Sequence, residues 1–311
     1  MGLMLCSVAS FAQDHPHYTM FMFNKLIYNP AYAGNKNITS VNAAYRSQWT
    51  GLEGAPKNFS VALDAPIGSY MKPFRRVALG LSVNNESLGV TDNTNLMAYY
   101  AYRVPFSKSV LSFGLQAGGA LYNANYNKLN PSQGADNTLS SNVNNSFLPN
   151  VGAGVFWSGD KYYVSASVPN LLENYYDKNT SALTNSKAKQ LRSYYLSGGY
   201  VFKISDGFKI YPQTMIRYAG NENYQLPLNV DANLSFIFLD RLMVGATYRS
   251  DNTIDAIVHL QATKWINIGY AFGYSTSQLS NFNNGTHEIV LGLDFIRDLN
   301  KYVNPRFIKP F

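Results

Sequence analysis

The chain is poor in cysteine, in charge and in long apolar runs, and each shortage closes off a class of protein. One cysteine, Cys6, stands in 311 residues, so neither a disulfide framework nor a cysteine-based metal site can form within one chain. Charged residues make up 14% of the sequence, against about 25% in an ordinary soluble domain. Something other than charge must therefore suit this surface to its surroundings. No stretch offers the roughly 20 consecutive apolar residues of a membrane-spanning helix, which excludes a helical membrane protein. Histidines number four. His15 and His17 flank Pro16 in an arm expected to be mobile, where a metal would lack further ligands. His259 shares a face with Asp255, the setting of a neutral or hydrogen-bonded interior histidine. No Gly-x-Ser-x-Gly elbow gathers a nucleophile with a base. Gly118-Gly119 and Gly152-Ala153-Gly154 lie inside strand patterns with no helix after them, so close packing or curvature accounts for them better than phosphate binding. Catalysis, cofactors and metals are not expected.

Aromatic residues, by contrast, are abundant: 24 Tyr and 18 Phe. The net charge is +7, yet Lys and Arg are scattered singly and form no basic stripe, so nucleic acid is not an expected partner. Residues 1–12 form an apolar run ending in Ser10-Phe11-Ala12, a small-x-small cleavage pattern before Gln13. The basic start of such a signal peptide is missing, as a truncated beginning would leave it. A lipoprotein signal at Cys6 is the rival reading, but Leu5 is bulkier than such sites accept.

From residue 37 onward the dominant pattern is alternation with period two, the mark of strands with one apolar and one polar face. Val41, Ala43, Tyr45 and Trp49 oppose Ser40, Asn42, Arg46 and Gln48; Phe59, Val61, Leu63 and Ile67 oppose Ser60 and Asp64. Leu79, Leu81 and Val83 alternate with Gly80, Ser82 and Asn84, and Leu96, Ala98, Tyr100 and Tyr102 with Asn95 and Arg103. Further strands read as about 109–122, 150–158, 160–169, 191–204, 207–218, 227–238, 241–250, 253–263, 265–275 and 286–296, which gives about fourteen antiparallel strands. Many have the roughly 9–11 residues that a tilted strand needs to cross a bilayer. Links after odd strands are long, as at 123–149 and 170–190, and links after even strands are mostly tight, as at 105–108 and 205–206. Short periplasmic turns and long external loops are the habit of outer-membrane barrels, so both termini are expected in the periplasm. A secreted β-sandwich would also alternate, but its outer face would be polar and charged, whereas this apolar face is continuous, rich in tyrosine and almost free of charge. The expected fold is all-β: a transmembrane outer-membrane barrel over 37–296, preceded by an arm over 13–36 and followed by a tail over 297–311.

Nine charges project into the lumen in this register: Arg46, Asp64, Arg103, Arg217, Asp231, Arg249, Asp255, Glu288 and Asp294. A channel would use them for selectivity and a closed barrel as neutralising pairs. The mixture of signs, with no ring of one sign, favours pairing.

The most distinctive stretch is residues 13–34, QDHPHYTMFMFNKLIYNPAYAG. From the residues alone, Asn29-Pro30 marks an extended or turn conformation and Ala33-Gly34 permits a reversal. Tyr18, Met20, Phe21, Met22 and Phe23 are too few to span a membrane and too apolar to stay solvated, so they need a partner surface: the barrel interior, which would make the arm a plug, or a periplasmic protein. The segment resembles the PorP/SprF family of type IX secretion system membrane proteins, in its Gln-Asp start, its aromatic and Met-rich run and in Tyr28, Asn29, Pro30, Ala31, Tyr32, Ala33 and Gly34. Arg46, Gln48, Trp49, Pro56 and residues 60–66 look like the family's first strands, and Asn304-Pro305-Arg306-Phe307 like its tail. The resemblance implies an outer-membrane protein of Bacteroidota serving secretion, gliding motility and adhesin anchoring. Its partners would be outer-membrane lipid, the C-terminal domains of exported surface proteins and periplasmic components of the secretion machine, with no cofactor and no catalysis. A general or substrate-specific porin is the alternative that the polar lumen suggests.

Overall fold

A computed structural model describes residues 17–67, 76–128, 142–174, 190–220 and 226–295. The expected signal peptide, His15 and the C-terminal tail lie outside the described residues. Strand follows strand: β1 (Thr39–Ser47), β2 (Lys57–Pro66), β3 (Val77–Leu88), β4 (Thr91–Pro105), β5 (Ser109–Ala124), β6 (Val143–Gly159), β7 (Tyr162–Asn170) and β8 (Arg192–Tyr200). After β9 (Phe202–Ser205) come β10 (Phe208–Gly220), β11 (Asn229–Phe238), β12 (Leu242–Arg249), β13 (Thr253–Gln261), β14 (Ile266–Ser275) and β15 (Thr286–Phe295). Both β8 and β9 pair with β10, on either side of a break at Val201, and together make one strand. Each strand pairs antiparallel with its sequence neighbours, and β1 closes the ring against β15 from Thr39↔Phe295 to Ser47↔His287. The result is a closed barrel of fourteen strands with no free edge.

The alternation decides which side each residue faces. Along β2 and β3, Ser60, Asp64, Ala78 and Ser82 are buried, while Phe59, Leu63, Leu79 and Leu81 are 41–47% exposed. The outward set continues around the wall through Leu115, Leu196, Leu234, Ile254, Ile268 and Leu291, a belt no soluble protein leaves uncovered. Hydrocarbon solvates it. At the short-turn end the outward side chains become aromatic, among them Phe106, Trp157, Tyr200, Phe202 and Trp265, as at the interfacial girdle of a membrane barrel. That end is closed by tight hairpins such as Leu239-Asp240, where both central residues have positive φ, 50° and 55°, the geometry that matches strand twist.

One strand starts earlier than its pattern suggests. Expected from about residue 150, β6 begins at Val143, and β5 runs to Ala124, so the link between them covers 125–142 instead of 123–149. Asn144, Asn145 and Ser146 offer no apolar face, yet the ladder continues through Tyr122↔Ser146 and a register shift to Ala124↔Val143. With 15, 16 and 17 residues, β4, β5 and β6 exceed what a bilayer requires. The surplus of about five residues extends the wall roughly 15 Å along the strands at the long-loop end, where alternation of apolar residues has no lipid to serve.

Candidate functional site

Residues 17–36 do not hang below the barrel; they run inside it. Of these, all except Lys25, Ile27 and Asn35 are buried. The expectation of a mobile arm around His17 is corrected here: His17 is 3% exposed and held by two strands. Its Nε2 lies 2.7 Å from Asp231 Oδ2 on β11, and its Nδ1 meets the Arg249 guanidinium on β12. Arginine can only donate, so Nδ1 accepts and Nε2 carries the proton toward Asp231. Burial first, and Arg249 second, pull this imidazole down to about 4, which keeps it neutral.

The next residues attach further around the wall and across the lumen. The backbone N–H groups of Thr19 and Met20 donate to the two oxygens of Glu288 on β15, at 2.6 and 3.0 Å, and the Tyr18 hydroxyl donates to Asn84 on β3 at 3.0 Å. Phe23 stacks on His259 of β13 with ring centroids 4.0 Å apart. A single helical turn, α1 (Lys25–Tyr28), then carries the chain across the lumen. Lys25 sets its ammonium 3.8 Å above the Tyr163 ring of β7, a contact strengthened by exclusion of water.

The Asn-Pro motif has a structural role beyond reversing the chain. Asn29 caps a short 3-10 turn (Pro30–Tyr32) by accepting from Ala31 N–H at 2.9 Å, with Pro30 where a missing N–H costs nothing. Its amide donates outward to Val155 O on β6 and Ala166 O on β7, at 3.1 and 3.3 Å, and Ser167 donates to Tyr28 O at 2.6 Å. The turn can sit this close because two cross-strand partners beneath it are glycines, Gly114 on β5 and Gly154 on β6. A Cβ on Gly114 would fall 2.1 Å from Ala31 N, and one on Gly154 would fall 2.2 Å from Asn29 Oδ1. Tyr32 packs edge-on against Phe156 at 5.4 Å. Gly34, at φ +68°, turns the chain toward β1 while its N–H donates to Asp64 at 2.8 Å. Together these contacts touch nearly the whole circumference.

The lumen charges belong to the same construction. Arg249 faces Asp231, Asp251 and Asp255 at 3.5, 3.4 and 3.9 Å; Arg46 lies 3.7 Å from Glu288 and donates to Gln48. Asp64 receives Ser40 as well as Gly34, and Asp294 faces Lys36 at 3.9 Å. Arg103 donates to Asn37. Arg217 is half-buried on β10 and takes part in none of these ion pairs. Sequence reasoning passed over Lys25, Lys36 and Gly114 as partners of this site. A lysine or glycine in isolation carries no signal that a distant backbone will meet it. His259, by contrast, sits where its pattern put it, fully buried and 3.1 Å from Asn267 Oδ1. Among the described residues no group of His, Cys, Asp and Glu could hold a metal ion.

The closed ring, the lipid-facing belt and the lumen filled by the chain's own N-terminal segment define a transmembrane β-barrel protein of the outer membrane. Over residues 10–293 the sequence matches the model of the type IX secretion system membrane protein PorP/SprF family, and the chain belongs to that family. This is a family of secretion-system membrane barrels and not an enzyme class. No curated protein matches the sequence. Similar solved structures include Salmonella typhi OmpF in complex with daunomycin, with 9% identity, a TM-score of 0.41 and coverage of 84% of this chain and 99% of that one. The NanC porin shows 11% identity, a TM-score of 0.41 and coverage of 83% and 99%. Outer membrane phospholipase A from Escherichia coli shows 11% identity, a TM-score of 0.35 and coverage of 83% and 90%.

Proposed function

We propose that this barrel assists the secretion and surface anchoring of large exported proteins through protein contacts at its mouth, and does not serve as a diffusion porin. The observation that carries the reading is the seated arm, whose side chains take up the space a solute would need. In this reading the arm is a plug and a scaffold: it closes the lumen and gives the long-loop end a fixed floor against which the C-terminal domain of an exported protein can rest. The short-turn end faces the periplasm, where the secretion machinery is within reach. A contact between Phe21 to Phe23 and a periplasmic subunit would require the arm to leave the lumen.

The experiment deletes residues 18–23 and keeps 28–34. The variant barrel should still reach the outer membrane and shift its gel mobility on heating, but it should conduct ions in planar bilayers and fail to retain its exported partner on the cell surface. Normal retention in that strain would remove the arm from the mechanism. An intact chain that conducts freely would restore the porin reading.

A further inference from the structure

The arm has a direction, and the strands measure it. Its start attaches near the long-loop end: Asp231, which faces His17, is the third residue of β11 from that end, and Arg249, which donates to the same imidazole, is the last of β12. Glu288, which accepts from Thr19 and Met20, is the third residue of β15 from the same end. Lower down, Phe23 stacks on His259, two residues short of the end of β13. At the short-turn end Gly34 donates to Asp64 on β2, Ser158 of β6 donates to Asn35 at 3.0 Å, and Lys36 faces Asp294, next to last on β15. On β15 alone, Thr19 and Lys36 attach six residues apart, a descent of about 20 Å at ~3.4 Å per residue.

The chain therefore passes through the lumen once, from the long-loop end at His17 to the short-turn end at Lys36, before β1 begins its own crossing at Thr39. An even number of strands puts the start of β1 and the end of β15 on one side, but the arm adds a passage and moves what precedes His17 to the other. Reach limits the alternative. From Asp231 to the short-turn end of β11 is seven residues, about 24 Å along the strand and ~18 Å along the barrel axis at a tilt of ~40°. Four residues carry the chain from His17 back to Gln13, and fully extended they span at most about 14 Å. Whatever precedes it, Gln13 cannot emerge at the short-turn end, and residues 18–36 already occupy that route.

We propose that the arm is itself a membrane crossing, held inside the barrel, and that the chain ahead of His17 is displayed at the long-loop mouth on the cell surface, where it forms part of the seat for the exported protein. The crossing stands on the attachments above; the seat rests on the function proposed in the preceding section. The root of the displayed segment is stiff. His17 is held on both ring nitrogens by β11 and β12, and Tyr18 is tied to Asn84 on β3. A peptide fixed at its root loses less freedom when a partner captures it than one on a loose arm, so more of the contact energy appears as affinity. This places Gln13, Asp14 and His15 on the side where exported proteins arrive, and away from the periplasmic machinery.

The test inserts a FLAG epitope between Asp14 and His15 of the full chain, which leaves the expected cleavage pattern and His17 unaltered. A second strain carries the epitope between Ser205 and Asp206. Antibody should bind the first on intact cells with no gain on permeabilising the outer membrane, and the second only after permeabilising. If the first insertion does not give a heat-modifiable barrel, Asp14→Cys in a Cys6→Ser background, labelled on intact cells with an impermeant maleimide, takes its place. A signal at Asp14 that requires permeabilisation would overturn the crossing. A Fab bound to the displayed epitope should block anchoring of the exported protein. Anchoring unaffected by the bound Fab, in a chain whose deletion of residues 18–23 abolishes it, would overturn the seat and leave the proposed function standing. Anchoring that survives that deletion as well would refute the proposed function, and with it the seat, while the intact-cell signal still decides the crossing.

Discussion

Gly114→Ala isolates the arm from the barrel. The added methyl group points into the lumen and arrives 2.1 Å from Ala31 N, 2.3 Å from Pro30 C and 2.4 Å from Ala31 Cα. All three are backbone atoms, so no rotamer change relieves the clash. Recovering an ordinary contact of 3.4 Å from 2.1 Å requires the turn to rise by about 1.3 Å. That displacement breaks the Asn29 bonds to Val155 O and Ala166 O and the Ser167 bond to Tyr28 O, which start at 3.1, 3.3 and 2.6 Å. At about 1 kcal/mol net for each bond, the seated state loses roughly 3 kcal/mol, or about a hundredfold in population. The barrel ladder uses only the Gly114 backbone and should survive. The variant should therefore keep its heat-modifiable mobility while the arm becomes cleavable by protease and bilayers begin to conduct. Gly198→Ala is the control, since its new Cβ meets nothing nearer than Tyr163 O at 3.3 Å. If Gly114→Ala leaves the arm as protected and the barrel as closed as in the unaltered chain, the reasoning from close approach is wrong.

Three further outcomes are expected. On the lipid face, Leu79→Arg and Leu234→Arg should each destabilise the barrel by about 2–4 kcal/mol at mid-membrane, measured as a shift in the urea midpoint of refolding into vesicles; an unchanged midpoint would place those residues off the lipid belt. For orientation, cysteines at Asn127 and Asn283 should react with an impermeant maleimide on intact cells, while those at Asp206 and Lys264 should not, and equal labelling at all four would defeat the assignment of the short-turn end to the periplasm. For pH, His17 is held at about 4, below its ordinary 6.5. Its neutral form therefore supports the seated arm fully above about 6.5, and that support is lost as pH falls through about 4. Protease protection of the arm should weaken between pH 7 and 4.5 more steeply in the native chain than in His17→Gln, and parallel curves would exclude His17 as the titrating group.

The barrel was legible because its physics repeats. Every strand that crosses lipid must alternate, so Val61, Leu63, Leu79 and Leu81 declare their face without reference to any distant residue. Where lipid ends the rule ends: the first seven residues of β6 carry no apolar alternation, although Tyr122↔Ser146 pairs like any other rung. The arm was harder. That Phe21, Met22 and Phe23 need cover follows from their apolarity, but which surface covers them does not, because no local pattern links residue 17 to Asp231 or Ala31 to Gly114. Glycine is the clearest instance: Gly154 reads as a place for close approach, yet the approaching atom, Asn29 Oδ1, lies 125 residues away in the chain. Parity groups the lumen charges on one face of their strands, while Lys36, Asn37 and Gln48 become visible as partners of three of them only in three dimensions.

The seated arm also limits how a partner can act on the barrel. Tyr18, Met20, Phe21, Met22, Phe23 and Leu26 are each no more than 6% exposed. Burying such side chains stabilises by about 1.5–3 kcal/mol apiece, so six of them contribute roughly 9–18 kcal/mol before the unfolded reference is corrected for compactness. Drawing the whole arm out would therefore demand interaction energy comparable to a nanomolar interface, about 12 kcal/mol, in addition to whatever holds the partner itself. A local shift such as the one forced by Gly114→Ala costs only about a quarter of that. The energetics thus favour a partner that binds the barrel with its arm in place over one that extracts the aromatic segment and takes its place in the lumen.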